Sequence, residues 1–317
     1  MFSTSRLLAA LAVTLATALA THTAYSWGLA KYASQAFTIR GPNLRLLPTQ
    51  DMDLAAAYLN ERFGGDDDLD VLFSGSSVTA GYPFSADTAM PARFAKLADE
   101  DGVVVANGAT IGHDLALMTE YLCAMSARDF SADVLFIEIP TVNELSVVMA
   151  GEQPRPCATG PIESGGYLPF FLTHPWGAAA IPRLRDQYAD RHGEGAMEKW
   201  VFPPSYVFTD ADLEANVALA ALRIDAALDA ADRIAPRKVL FFSPVYRRAF
   251  DEQDMGGVLA RYEALVLDAC RQRDDFVCLL PDFGMELDIN NFFNITHVNR
   301  AGGDALAAYL SAGVKRH

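Results

Sequence analysis

The chain has 317 residues, with 40 acidic against 25 basic side chains and a formal net charge of −15. That length gives ample mass for a buried core, and 51% apolar against 21% charged residues excludes wholesale disorder. The basic residues, 20 Arg and 5 Lys, form no cluster, and so acidic a chain repels a phosphate backbone: nucleic acid is excluded as a partner. The sequence shows no run of several membrane spans either, which excludes a channel or transporter.

Residues 1–30 read as an address rather than part of the fold. Arg6 precedes an apolar stretch from Leu7 to Ala20, and Ala18-Leu19-Ala20 puts small residues before Thr21, the layout of a cleaved signal peptide. The competing reading is an N-terminal membrane anchor from Leu7 to about Leu29. Both place the rest of the chain outside the cytoplasm, periplasmic or secreted. Cys123, Cys157, Cys270 and Cys278 suit an oxidising compartment, and none has the C-x-x-C spacing of a zinc or redox motif. Cys270 with Cys278, and Cys123 with Cys157, are candidate pairs; free buried thiols are the alternative.

Residues 31–68 read as a linker and lead-in, and residues 69–317 as the working domain. Short apolar runs at Leu69–Ser74, Gly102–Ala106, Asp133–Ile139, Lys238–Ser243 and Phe276–Leu280 are apolar on both faces, as buried strands of a parallel sheet are. Helical stretches separate them, at Asp114–Ala127, from Thr209 with a Thr209/Asp212 capping box, at Met255–Arg271 and at Ala301–Ala312. The helix after Thr209 sets Leu213, Val217, Ile224 and Leu228 near one face. This alternation predicts an α/β fold: a three-layer α/β/α sandwich on a mostly parallel five-stranded sheet. Residues 150–208, with eight prolines and the aromatics Tyr167, Phe170, Phe171, Trp176, Trp200, Phe202, Tyr206 and Phe208, read as an insertion between the third and fourth strands. It is either a lid or substrate platform, or a small core of its own.

Ligands of such folds bind at the carboxyl ends of the strands. There the first strand ends in Gly75-Ser76-Ser77, a tight turn that exposes a serine to converging backbone N–H groups. The second ends in Asn107-Gly108-Ala109-Thr110-Ile111-Gly112, and the third in Pro140-Thr141-Val142-Asn143. Near the C-terminus, His297 follows Asn294-Ile295-Thr296 and precedes the last helix. His22, His113, His174, His192 and His317 show no metal-ligand spacing, and no cofactor or metal is expected.

Serine, glycine, asparagine and histidine in that order resemble the SGNH (GDSL-like) hydrolase superfamily over about residues 69–312. The resemblance implies a flavodoxin-like fold and an ester-cleaving serine enzyme. It makes Ser77 the nucleophile, His297 the general base, and Ser77 N–H, Gly112 N–H and the Asn143 amide the oxyanion hole. Ser76 stands where the family has Asp, a variant associated with extracytoplasmic branches, some of which act on polysaccharide O-acetyl groups beside membrane-bound O-acyltransferases. Asn294 stands where the family has the Asp that orients the histidine. An Asn can hold the ring, but it cannot compensate the imidazolium charge, and its NH2 turned inward would favour the wrong tautomer.

Three outcomes stay open at this point: another carboxylate such as Asp288 or Asp282 serves His297, Ser77 and His297 act as an attenuated dyad, or the site binds without turnover. The sequence therefore predicts an exported serine esterase or O-acyltransferase acting on acyl, chiefly acetyl, esters of cell-surface or exported polysaccharide. The alternatives are a glycan-binding accessory protein and a small-ester or lipid esterase.

Overall fold

The structure, a computed structural model, describes residues 10–21, 43–45, 63, 69–81, 89–98, 102–109, 113–154, 197, 206–282 and 287–315. The chain divides into two units, Met1–Ile39 and Arg40–His317. In the first, residues 10–21 form a helix that exposes Leu11, Val13, Leu15 and Leu19. Among the described residues no helix is long and apolar enough to cross a membrane.

The second unit is built on six parallel strands: β1 (Asn43–Arg45), β2 (Leu69–Ser74), β3 (Val103–Asn107), β4 (Val134–Ile139), β5 (Arg237–Phe242) and β6 (Phe276–Cys278). Their order across the sheet is β1-β3-β2-β4-β5-β6. The five strands expected from apolar runs are all present. The sixth, β1, lies inside the stretch read as a linker; three residues at a sheet edge need no apolar run, because one flank stays unpaired. Between the strands stand α1 (Ser77–Ala80), α2 (Met90–Ala98), α3 (Leu115–Ser126), α4 (Thr141–Met149), α5 (Asp210–Ala231), α6 (Arg247–Asp251) and α7 (Gly256–Arg271). A two-stranded antiparallel hairpin, β7 (Phe292–Asn294) and β8 (His297–Val298), then leads into α8 (Arg300–Lys315).

The alternation of the strands sorts the core into two faces. On one, Val71, Phe73, Val105, Val134, Phe136, Val239 and Phe241 meet Phe94 and Ala95 of α2 and Leu306, Ala307 and Leu310 of α8. Phe73 stacks on Phe136 at 4.4 Å between centroids, and Phe94 meets both rings edge-on at 5.2 and 5.1 Å. The alternate residues Leu72, Ala106, Leu135 and Leu240 are fully buried on the other face, the side where α3, α5 and α7 pack together. The capping box predicted at Thr209 opens α5, which buries Leu213, Ile224 and Leu228 and leaves Val217 half-buried.

The sequence pattern passed over one buried cluster. Arg223, on the inward face of α5, pairs with Glu144 of α4 and lies 3.1 Å from Asp114, the N-cap of α3. Glu144 also accepts the Leu115 N–H at 3.0 Å, and Arg223 reaches the carbonyls of Glu152 and Gln153 at 3.3 and 3.4 Å. Burial pushes the Glu144 carboxyl up, and the guanidinium opposes that shift. The cluster joins three helices at the end of the sheet where the second and third sequence blocks lie.

Cys270 at the end of α7 is bonded to Cys278 of β6, as one candidate pairing required, and Cys123 is also disulfide-bonded. Cys157 lies outside the described residues, as does most of the 150–208 segment.

Removing one partner of a buried ion pair strands the other. Arg223→Leu is therefore expected to lower unfolding stability by about 3–5 kcal/mol in a denaturant titration. A change below 1 kcal/mol would mean that Glu144 and Asp114 are satisfied without it.

Candidate active site

From the central strand β2 the chain moves first to β3 on one flank and then to β4 on the other. That reversal opens a crevice at the carboxyl end of β2, and Ser77 starts the helix that leaves it. Ser77, Asn143, Ser243 and His297 line one cleft there, together with Val142 and Val245.

Gly75 lets the chain turn under a side chain: a Cβ there would stand 2.7 Å from Glu138 Cβ and 2.8 Å from Thr79 Oγ1. Asn107, at the end of β3, donates to the Thr79 carbonyl at 2.9 Å and so ties the second block to the serine turn. The Ser77 N–H, at a helix start, has no acceptor among the described residues, as the first N–H groups of a helix have none within it. Asn143 falls in the first turn of α4, after the Pro140 N-cap, rather than in a loop. The Arg223–Glu144 pair holds the residue next to it. Gly112 lies outside the described residues.

His297 Nε2 is 2.8 Å from Ser77 Oγ. Its Nδ1 is 2.9 Å from Asn294 Oδ1 and 3.0 Å from Thr296 Oγ1. Asn294 and His297 face each other across the β7–β8 hairpin, and Asn294 Oδ1 closes the turn by accepting the N–H of Thr296 at 3.0 Å and of His297 at 2.9 Å. Backbone N–H groups can only donate, so a flipped amide would set NH2 against two donors. The oxygen therefore faces Nδ1, Nδ1 carries the proton, and the Nε2 lone pair points at the Ser77 hydroxyl. The backbone removes the wrong-tautomer hazard of an Asn at this position. Asp288, one of the carboxylates weighed for His297, is spent on capping Ile289–Asn291, where it accepts the Asn290 N–H at 2.8 Å.

Burial lowers the His297 pKa from 6.5 to about 4. The ring is thus neutral, as a general base must be, but it is a weak base because burial disfavours its charged form. The hairpin that carries it is seated on a second apolar cluster, where Phe292, Ile295 and Val298 pack with Tyr246 and Met197. Met197, from the end of the long insertion, donates its N–H to the Phe292 carbonyl at 2.9 Å.

Glu138, unremarked in the sequence, is fully buried on β4 and hydrogen-bonds the serine turn through Ser76 and Thr79. A glutamate inside an apolar strand run and an arginine on the buried face of α5 were the available signals for these buried groups.

No family model and no curated protein matches this chain. Among solved structures, it is similar to an acetylxylan esterase of Geobacillus stearothermophilus in a catalytic-mutant form, with 15% identity over 80% of this chain and 95% of that one and a TM-score of 0.45. It is also similar to an α/β hydrolase from the metagenome of Lake Arreo, Spain, with 13% identity, 80% and 97% coverage and a TM-score of 0.45. A family two carbohydrate esterase from Clostridium thermocellum, solved with cellohexaose, matches at 12% identity, 78% and 64% coverage and a TM-score of 0.41. Likenesses this distant carry no argument about chemistry, which rests on the residues above.

If His297 is the base, kcat/KM for an ester is flat above its pKa and falls as pH drops through about 4, where the imidazolium can no longer accept the serine proton. Asn294→Asp sets a carboxylate against Nδ1, which favours the imidazolium. The acid limb then moves upward in pH, and kcat at pH 7 rises by at least about tenfold. A limb that stays put in this variant would remove His297 from the mechanism.

Proposed function

We propose that this chain is an exported serine esterase of SGNH type that takes acetyl groups from O-acetylated carbohydrate through an acyl-serine. The observation that carries the reading is the 2.8 Å contact between His297 Nε2 and Ser77 Oγ, with the ring tautomer fixed from behind by Asn294.

Nε2 accepts the Ser77 proton as Oγ forms a bond to the ester carbonyl carbon. The oxyanion meets the Ser77 N–H and the Asn143 amide, with Gly112 assigned to the same hole by its place in the second block. The tetrahedral centre collapses, the bond to the alkoxy oxygen breaks, and that oxygen takes the proton from His297 as the alcohol leaves. Water, or an acceptor hydroxyl, then repeats the cycle on the acyl-serine. Asn294 leaves the transient imidazolium uncompensated, so the barrier is higher than with a carboxylate there.

The acetyl preference rests on the wall of the cleft, where the short apolar side chains of Val142 and Val245 stand beside Ser77 and suit a small acyl group. The Cys270–Cys278 bridge is at home in an oxidising compartment, which agrees with export by the N-terminal segment.

With p-nitrophenyl acetate, the wild-type chain is expected to give a p-nitrophenolate burst stoichiometric with enzyme and then slow turnover, while Ser77→Ala gives neither. p-Nitrophenyl esters longer than butyrate are expected to react at least about tenfold more slowly. Equal rates for wild type and Ser77→Ala at buffer background would overturn the acyl-serine reading and favour a carbohydrate-binding role.

A further inference from the structure

The proton relay leaves one buried carboxylate at the site unused. Glu138 is fully buried on the central strand β4, where its neighbours Ile137 and Ile139 are also fully buried. Its Oε2 accepts the backbone N–H of Ser76 at 2.9 Å and of Thr79 at 3.0 Å. Its Oε1 accepts the Ser76 hydroxyl at 2.6 Å and the Ser243 hydroxyl. A carboxyl in this position is costly unless its oxygens are satisfied, and here the donors come from the turn that carries Ser77 and from the end of β5.

The two backbone donors bracket the nucleophile. An N–H direction is fixed by the chain, so anchoring those of residues 76 and 79 to one oxygen fixes the dihedrals between them, and with them the place of Ser77 Oγ. Gly75 provides the room for that oxygen, and Asn107 pulls the Thr79 carbonyl from the β3 side. We propose that Glu138 is a positioning residue: it holds the turn between β2 and α1 so that Ser77 Oγ stays within hydrogen-bond reach of His297 Nε2, without itself touching the acyl group. This rests on the acyl-serine reading, which the wild-type burst tests first.

The experiment uses the full chain with p-nitrophenyl acetate. Wild type and Ser77→Ala establish the burst; its absence in wild type overturns the acyl-serine reading and the role of Glu138 with it. Given the burst, Glu138→Ala is expected to lower kcat about 100-fold, the size of effect that a displacement of about 1 Å has on a reacting atom. KM stays within about twofold and the acid limb of the pH profile stays in place, because the His297–Asn294 contact is untouched and Glu138 does not meet substrate. Glu138→Gln keeps an oxygen for both N–H groups and offers its NH2 to the two hydroxyl oxygens, so it is expected to restore kcat to within about tenfold of wild type.

Gly75→Ala crowds Glu138 at its Cβ as well as its carboxylate while retaining the residue, and it is expected to repeat the kcat loss at constant KM, a second reading should Glu138→Ala not fold. Wild-type kcat in a folded Glu138→Ala or Gly75→Ala chain overturns the proposal. So does a Glu138→Gln chain as slow as Glu138→Ala, or a loss that appears in KM or follows the unfolded fraction by circular dichroism.

Discussion

Asn294 Oδ1 collects the N–H of Thr296, the N–H of His297 and the proton of His297 Nδ1. The first two bonds bend the chain into the β7–β8 hairpin, and the third orients the ring. The turn and the orientation of the ring thus share one acceptor atom, so removing that oxygen disturbs both. The arrangement also explains how an amide can stand where a carboxylate would be electrostatically better. The role needs an acceptor whose direction is fixed, and two backbone donors supply that direction whatever the charge of the side chain.

The same logic recurs across the carboxyl edge of the sheet. Glu138 gathers donors from the serine turn and from β5, and Glu144 gathers Arg223 and the first N–H of α3. Each is buried, and each joins segments distant in sequence: Ser76 lies 62 residues from Glu138, and Arg223 lies 79 from Glu144. Apolar packing on either face of the sheet sets the layers but is tolerant of small slides, whereas hydrogen bonds to a buried carboxylate are not. The core therefore holds the strands together, and these carboxylates hold the loops between them in register.

Neutrality behind His297 has an electrostatic consequence. Burial keeps the imidazole neutral well below the usual histidine range, so it is ready to accept a proton over a wide pH span but takes it reluctantly. In the proposed reaction a base of this kind suits an ester with a good leaving group and is slower than one with a carboxylate behind the ring.

Much of this was legible in the sequence. Apolar runs bounded by glycine and polar turns marked the strands from β2 to β6, since a strand covered on both faces cannot vary its pattern. The Thr209 capping box marked the start of α5, and the order of Ser77, Asn143 and His297 along the chain singled out residues that the structure brings into one cleft. Strand β1 stayed hidden because three residues at an edge carry too little pattern to separate from a linker. The amide orientation of Asn294, the partner of Arg223 and the donors around Glu138 were decided only by the tertiary structure. Sequence fixes which groups a chain possesses and the local period that sends each to a face. Which donor meets which acceptor depends on distances between elements far apart in the chain, and those distances exist only once the sheet has closed and its helices have packed.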